Sequence, residues 1–283
     1  MNRKQGLAIT MLTHAALSLL CAITLYPVLW VVKLALSPSQ ALTLTINPLP
    51  ESITFSNFTD IFGSTDAQGR WLFGRQLFAS LAVSTATTVV GLSLALTAAY
   101  ALSRFTFPGK KAGMQALLMT QMFPGTLMLV PLYSILQFLN LVDSLAGLVL
   151  IYATTSLPFC VWMLKGYFDT IPKELEEAAT MDGASPTQVF IKIVLPLTKP
   201  ALAVTALFSF MTAWNEFILA ATLLNDATRF TLPVALQRFV GEYKTEWGHF
   251  AAGAIIVSAP VMALFFALQK YLVGGLTSGA VKG

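Results

Sequence analysis

The sequence predicts an all-α polytopic membrane protein with six transmembrane helices, and three observations predict it. Of 283 residues, 56% are hydrophobic and 11% charged, whereas an ordinary soluble domain carries roughly 25% charge. The mean hydropathy is +0.72. The charges are also spaced so as to leave six long apolar intervals. A helix needs roughly 20 apolar residues, at ~1.5 Å each, to cross a ~30 Å hydrocarbon core, and every interval reaches that length. The runs are unbroken and do not alternate in polarity, which excludes a barrel. The composition also argues against a water-soluble enzyme, a disordered chain and a disulfide-stapled secreted domain. Cys21 and Cys160 both lie inside apolar runs, and His14 and His249 are the only histidines. No disulfide framework, zinc site or other metal centre is readable, and no cofactor is expected.

The elements follow in chain order. Between Lys4 and Lys33 lie 28 uncharged residues, giving a span at about 9–33. It is too long for a signal peptide and no small-x-small cleavage site follows, so it reads as an uncleaved first helix. The intervals Arg75–Arg104, Lys111–Asp143 and Asp143–Lys165 give spans at about 77–103, 113–138 and 145–164. Lys199–Asp226, interrupted only by Glu216, gives 201–224, and Glu246–Lys270 gives 250–272. Pro124 and Pro158 fall mid-span and allow kinks. Ser80, Ser84, Thr88 and Gly91 in the second span read as small-residue helix packing. Trp162, Trp214 and Tyr152 read first as packing aromatics.

With six spans both termini share a side, and that side carries eleven of the seventeen Lys and Arg residues. The positive-inside rule places it in the cytoplasm. Tyr26, Trp30 and Trp71 suit an aromatic belt at the opposite face. The net charge of +4 is thus mainly topological, and no nucleic-acid partner is implied. The expected organisation is an N-terminal span with its outer loop, 1–76, and a five-helix transmembrane domain, 77–283. The outer loops 34–76 and 225–249 are long enough to serve either as solvated connectors or as docking surfaces for an external partner.

Nine of the thirty charged residues crowd the cytoplasmic loop 165–200. Thr170 and Pro172 mark the start of a short helix whose first turns hold Glu174, Glu176 and Glu177, where carboxylates complement the helix dipole. Leu175, Ala178 and Ala179 form a narrow apolar face, and Gly183 supplies a left-handed stop. Ser185, Pro186 and Gln188 then spell a capping box for a second helix, with Phe190 and Ile193 on one face and Pro196 ending it. A helix lying on lipid would carry basic residues on its polar face. Three opening glutamates favour a protein partner.

The loop reads Glu177-Ala178-Ala179, then Asp182-Gly183, then Ile193-Val194-Leu195-Pro196. This matches the pattern EAA-x3-G-x9-I-x-LP, and the chain resembles the permease subunits of binding-protein-dependent ABC importers. Tyr26-Pro27 with Trp30, Phe107-Pro108-Gly109-Lys110, Trp214-Asn215-Glu216-Phe217 and the tail 274–283 extend the likeness over nearly the whole chain, toward the carbohydrate branch and the smaller permease subunit of maltose- and trehalose-type systems. The resemblance implies a type I ABC importer permease fold with a cytoplasmic coupling helix, in the bacterial cytoplasmic (inner) membrane. It implies as partners two ATP-binding cassette ATPase subunits, a second homologous permease subunit and an extracytoplasmic sugar-binding protein, besides membrane lipid. It assigns ATPase docking to Glu177, Ala178, Ala179, Asp182, Gly183, Ile193, Leu195 and Pro196, and an ATPase-contacting role to Thr277, Ser278 and Lys282 in the tail. The chain has no G-x4-GK[ST] phosphate loop, so ATP would be bound elsewhere, and no catalytic residue is expected.

A translocation path is sought in the fifth span. Thr205, Ser209, Thr212 and Glu216 follow 4-3-4 spacing and so share one helical face, with Asn215 beside them. A carboxylate there costs on the order of 3 kcal/mol to insert and should face protein or water. The face reads either as a polar wall of the path or as interhelical hydroxyl packing. A secondary transporter would require intramembrane ion-coupling acids and repeats, but Glu216 stands alone and no repeat is evident. An intramembrane enzyme would require a nucleophile–base or metal constellation, which the scattered Ser and His residues do not form. An importer for amino acids or another small solute is the nearest alternative within the same class.

Overall fold

The computed structural model describes residues 3–42, 45–241 and 244–280, with side chains over 9–42, 45–241 and 244–271. Its elements are α1 (Arg3–Leu36), α2 (Ser56–Phe62), α3 (Leu72–Arg104), α4 (Lys110–Thr120), α5 (Leu129–Phe138), α6 (Leu145–Phe168), α7 (Glu174–Met181), α8 (Pro186–Val189), α9 (Leu195–Leu197), α10 (Lys199–Asn215), α11 (Ile218–Leu223), α12 (Leu232–Leu236) and α13 (Trp247–Ala280). Among the described residues there is no strand, only the isolated bridges Thr65–Trp71 and Val240–Thr245.

Among the described residues four helices, α1, α3, α6 and α13, are long and apolar enough to cross a membrane alone, and two bent pairs bring the number to six where each counts as one span. The expected third span is not one kinked helix. It breaks into α4 and a second arm, Gly125–Phe138, at 97°. Pro124 stands at the break with ψ 126°, because its ring denies a hydrogen bond to the preceding turn and disfavours a helical residue before it. Pro158, by contrast, lies inside an unbroken α6. The expected fifth span ends early as well: α10 stops at Asn215, Glu216 is extended (φ −68°, ψ 129°), and α11 restarts at Ile218.

Contacts divide the chain into two compact units. One comprises residues 1–73 and 236–259. Its centre is Asn57, fully buried in α2, whose amide donates to the carbonyls of Ala35 (2.9 Å) and Ser37 (2.8 Å) and accepts from Gln40 (2.7 Å). These bonds satisfy carbonyls left open where α1 ends. Gly248 lets α13 approach, since a Cβ there would lie 2.8 Å from Asn57 Nδ2 and 2.9 Å from the Gln40 amide. Lys33 is buried at the end of α1 without a carboxylate partner among the described residues, and its ammonium donates to Thr45 Oγ1 and the Asn47 carbonyl, each at 2.5 Å. The interfacial aromatics are likewise tied to loops: Tyr26 donates to the Ile46 carbonyl and Trp71 to that of Phe62.

The second unit comprises residues 74–235 and 260–283. Here α6 packs chiefly on α10. In lipid, tails are as apolar as leucine, so association rests on close packing. The α3 seam accordingly buries Ser80, Ser84, Thr87, Ala95 and Ala99. One buried cluster joins α3 and α6 to the 165–200 loop through Ala95, Ala99, Cys160, Leu164, Phe168, Val189 and Val194. A second gathers Leu136, Leu148, Ile151, Tyr152, Ala220 and Leu223.

Asn57→Ala is expected to lower the stability of the detergent-solubilised protein by about 2–4 kcal/mol, because two buried carbonyls and the Gln40 amide lose partners at ~1–3 kcal/mol each. Thermal unfolding followed by tryptophan fluorescence measures it.

Candidate functional site

The 165–200 loop is a compact platform. An eight-residue helix such as α7 is below the ~12–15 residues that hold helicity unaided in water, so its ends must be fixed. At its C-terminus Gly183 takes φ +85°, Ala184 N–H donates to the Ala179 carbonyl and Gly183 N–H to that of Thr180, both at 3.0 Å. This is a Schellman closure, which a Cβ at Gly183 would strain. The capping box forms as expected, with Ser185 N–H donating to Gln188 Oε1 at 2.8 Å and Gln188 N–H to Ser185 Oγ.

Two details depart from expectation. Pro196 does not end the second helix. A π-turn, Phe190–Val194, precedes it and Pro196 itself lies within α9, so the chain turns 75° only at the junction with α10. The wider turn spares the carbonyl that a proline ring would otherwise strike. The inward face is also set by that turn. Val189 and Val194, five apart, are buried (4% and 0% exposed), while Ile193 is half-buried.

An ion pair across 72 residues seats α7. Arg104 Nε lies 2.5 Å from Glu176 Oε1, with side chains 8% and 13% exposed. Tyr100 OH donates to Glu176 Oε2 (2.8 Å), and Arg104 Nη2 donates to the Ile171 carbonyl (3.0 Å). Beside it Asp169 accepts from Ser103 (2.6 Å) and pairs with Lys165. Burial raises the Asp169 carboxyl, but the hydrogen bonds from Lys165 and Ser103 hold it below its ordinary 3.8. A depressed carboxylate contributes stability above its unfolded value and loses it as pH falls through the folded one, so these contacts are complete at neutral pH. From the sequence, Arg104 only bounds a span and counts toward topology, and Glu176 is one of three glutamates that suit the helix dipole and a protein partner; their pairing is not expected. The Tyr100–Arg104 i, i+4 pair at a span end was the available signal.

With Glu176 and Ala179 turned inward, Glu174, Glu177, Ala178 and Met181 form an exposed stripe at i, i+3, i+4, i+7, flanked by Leu175 and Asp182. Met181 is 83% and Leu175 46% exposed. The apolar face expected from Leu175, Ala178 and Ala179 therefore splits: Ala179 packs inward and the other two face outward.

The fifth span places its polar residues differently from expectation. Thr205 and Ser209 are buried (0% and 1% exposed), and a partner chain could only bury them further, so they do not line an open path in this conformation. Thr205 Oγ1 donates to the Ala201 carbonyl and Thr212 Oγ1 to that of Phe208, which is back-bonding to the preceding turn. Thr212 and Asn215 are exposed. Glu216 leaves the helical face because α10 ends before it. Its Oε1 accepts from Leu219 N–H (2.9 Å), and its Oε2 accepts from Ala220 N–H (3.1 Å) and Tyr152 OH (2.6 Å). The carboxylate thus holds the open amides of α11, where the helix dipole favours an anion. Beyond it, Asp143 (φ +54°) accepts from Asn225 N–H and pairs with Arg229. Trp214 is buried and stacked on Phe210, and Tyr152 is buried, as packing residues, whereas Trp162 is half exposed. The tail side chains of Thr277 and Ser278, and Lys282, lie outside the described residues.

Residues 88–278 match the family of binding-protein-dependent transport system inner membrane components. The chain belongs to this family. The permease is 38% identical over 271 residues to the trehalose transport system permease protein SugB of Mycobacterium tuberculosis, covering 94% of this chain and 95% of that protein. It is 35% identical over 289 residues to the maltose/maltodextrin permease MalG of Escherichia coli K12, covering 96% and 95%. It is 34% identical over 274 residues to the galactooligosaccharide permease GanQ of Bacillus subtilis 168, again covering 96% and 95%. Among solved structures, a bacterial ABC transporter that imports alginate shares the fold, with TM-score 0.78 at 24% identity over 96% of this chain and 99% of that one. The expected permease class and all-helical importer fold are borne out.

Breaking the seat should cost more than changing the stripe. Arg104→Ala is expected to destabilise the permease by about 3–5 kcal/mol, as for other buried pairs stripped of one partner. Glu177→Gln, on the exposed stripe, is expected to stay within about 0.5 kcal/mol. Hydrogen exchange across 170–184 distinguishes them: it should rise in the first variant and not in the second.

Proposed function

We propose that the permease is one of two homologous membrane-spanning halves of an ATP-driven carbohydrate importer, with both termini in the cytoplasm. In this reading the platform 165–200 couples the spans to a pair of separate ATPase subunits, and an extracytoplasmic binding protein delivers the solute. The observation that carries the reading is the exposed Glu174/Glu177/Ala178/Met181 stripe on a helix held by the Arg104–Glu176 pair and closed at Gly183. A rigid helix seated in an ATPase cleft transmits its closure as rigid-body movement of α3, α6 and α10. Glu177 and Asp182 would supply charge-assisted contacts, and Met181 and Leu175 the apolar ones. Gly183, Ile193, Leu195 and Pro196 would shape the platform, and Thr277, Ser278 and Lys282 would reach the ATPase from the tail. Carbohydrate as solute is supported by three relatives named for trehalose, maltose/maltodextrin and galactooligosaccharides. The exposed Thr212 and Asn215, just before the break in the fifth span, are the residues of that helix best placed to meet it. Glu216 would act behind them by holding the break open.

Co-purification of the complex and measurement of ATPase stimulation by binding protein loaded from a panel of sugars and amino acids tests the whole reading. Severalfold stimulation by a di- or oligosaccharide is expected; response to an amino acid alone would reject the solute class. Glu177→Lys and Gly183→Asp should insert normally and lose uptake, and normal uptake by both would remove the coupling role. Glu216→Ala should lower the thermal midpoint with an unchanged KM in the surviving protein, because three buried donors lose their acceptor. A raised KM at unchanged stability would instead mean direct contact with solute.

A further inference from the structure

Three span ends meet at a cavity the transport reading does not use. The C-terminal ends of α3 and α6 and the start of α4 border an open cavity of about 930 Å³. Leu102, Phe107 and Met114 supply apolar lining, and Lys110, Lys111 and Lys165 also line it. Lys165 is paired with Asp169. Lys110 and Lys111 have no carboxylate within ion-pair distance among the described residues, and Lys110 Nζ has only the neutral Phe105 carbonyl at 3.0 Å. The cavity therefore carries two uncompensated cations above an apolar lining, at the level where three membrane-spanning segments end. Of the lining, Phe107 is itself exposed (45%).

We propose that this cavity is a binding site for the phosphate headgroup of an anionic phospholipid. Lys110 and Lys111 take the phosphodiester, and the glycerol and first acyl methylenes lie against Leu102, Phe107 and Met114. A free phosphate would use the lysines but leave the apolar lining in water, whereas a lipid satisfies both. Basic pockets between transmembrane helices recognise anionic headgroups by this combination. The Gly109 φ of +85° turns the chain sharply into α4 and so sets both lysines at the rim. A lipid held there would brace the α3–α4 turn beside the Ser103–Asp169 and Arg104–Glu176 contacts of the platform. The site rests on the membrane-spanning character of the chain and not on which solute it carries.

Native mass spectrometry of the full chain, with whatever partners co-purify, from nanodiscs of equal phosphatidylglycerol and phosphatidylcholine tests this. Phosphatidylglycerol adducts should predominate and persist in millimolar inorganic phosphate. K110Q/K111Q should weaken them about 25-fold, at about fivefold per lysine. K110R/K111R should retain the selectivity, and Met114→Trp, which fills the apolar part at unchanged charge, should reduce binding. Equal retention of both lipids, indifference to the glutamine pair, or loss in the arginine pair as well would overturn the proposal. Displacement by inorganic phosphate would make the cavity a free-anion site and overturn it too.

Discussion

The buried Arg104–Glu176 pair is the constraint on which the 165–200 platform of the permease depends. Removing two charges from water costs several kcal/mol per ion, and mutual attraction alone rarely offsets it. Here Tyr100 and the Ile171 carbonyl complete the hydrogen bonding of both partners. Such a pair contributes little net stability compared with apolar packing. Its effect is positional: with Glu176 on Arg104 and Tyr100, α7 is seated in one register against α3, and a rotation that carried Glu176 away would strip the buried guanidinium of this partner. Everything exposed on α7 is then exposed because Glu176 is not.

The rest of the platform works in the same direction. The Schellman closure at Gly183 and the capping box at Ser185 fix the turn between two helices too short to persist alone. Val189 and Val194 insert into the α3–α6 cluster, their five-residue spacing made possible by the π-turn. The outward stripe is thus tied to the spans by an ion pair, a closed turn and an apolar plug. In the fifth span the single intramembrane carboxylate is likewise consumed by structure. Glu216 satisfies two amides and a buried phenol, which makes an interruption of the helix tolerable where no water can supply the bonds.

Much of this could be read in the sequence wherever the signal is local. Ser185-Pro186-x-Gln188 and Asp182-Gly183 encode caps within a few residues, and both form. Pro196 was misleading because its effect depends on the preceding turn, and an i→i+5 turn has no composition of its own. Thr205, Ser209, Thr212 and Glu216 share a face only while the helix continues. Nothing within the segment says that it stops at Asn215, since the partner that stabilises the stop, Tyr152, lies 64 residues earlier.

By itself the sequence determined the class, the apolar segments and the capped 165–200 loop. A bilayer acts on each segment as a solvent, so composition over about 20 residues decides whether that segment crosses, and the motif fixes spacing along the chain. Only the tertiary structure decided which glutamate of α7 is buried and which are presented, where the third and fifth spans break, and that two uncompensated lysines share a cavity with an apolar lining. The buried glutamate and the break at Glu216 rest on partners distant in sequence, and burial of charge or of an open amide carries its cost only once the partner's position is known.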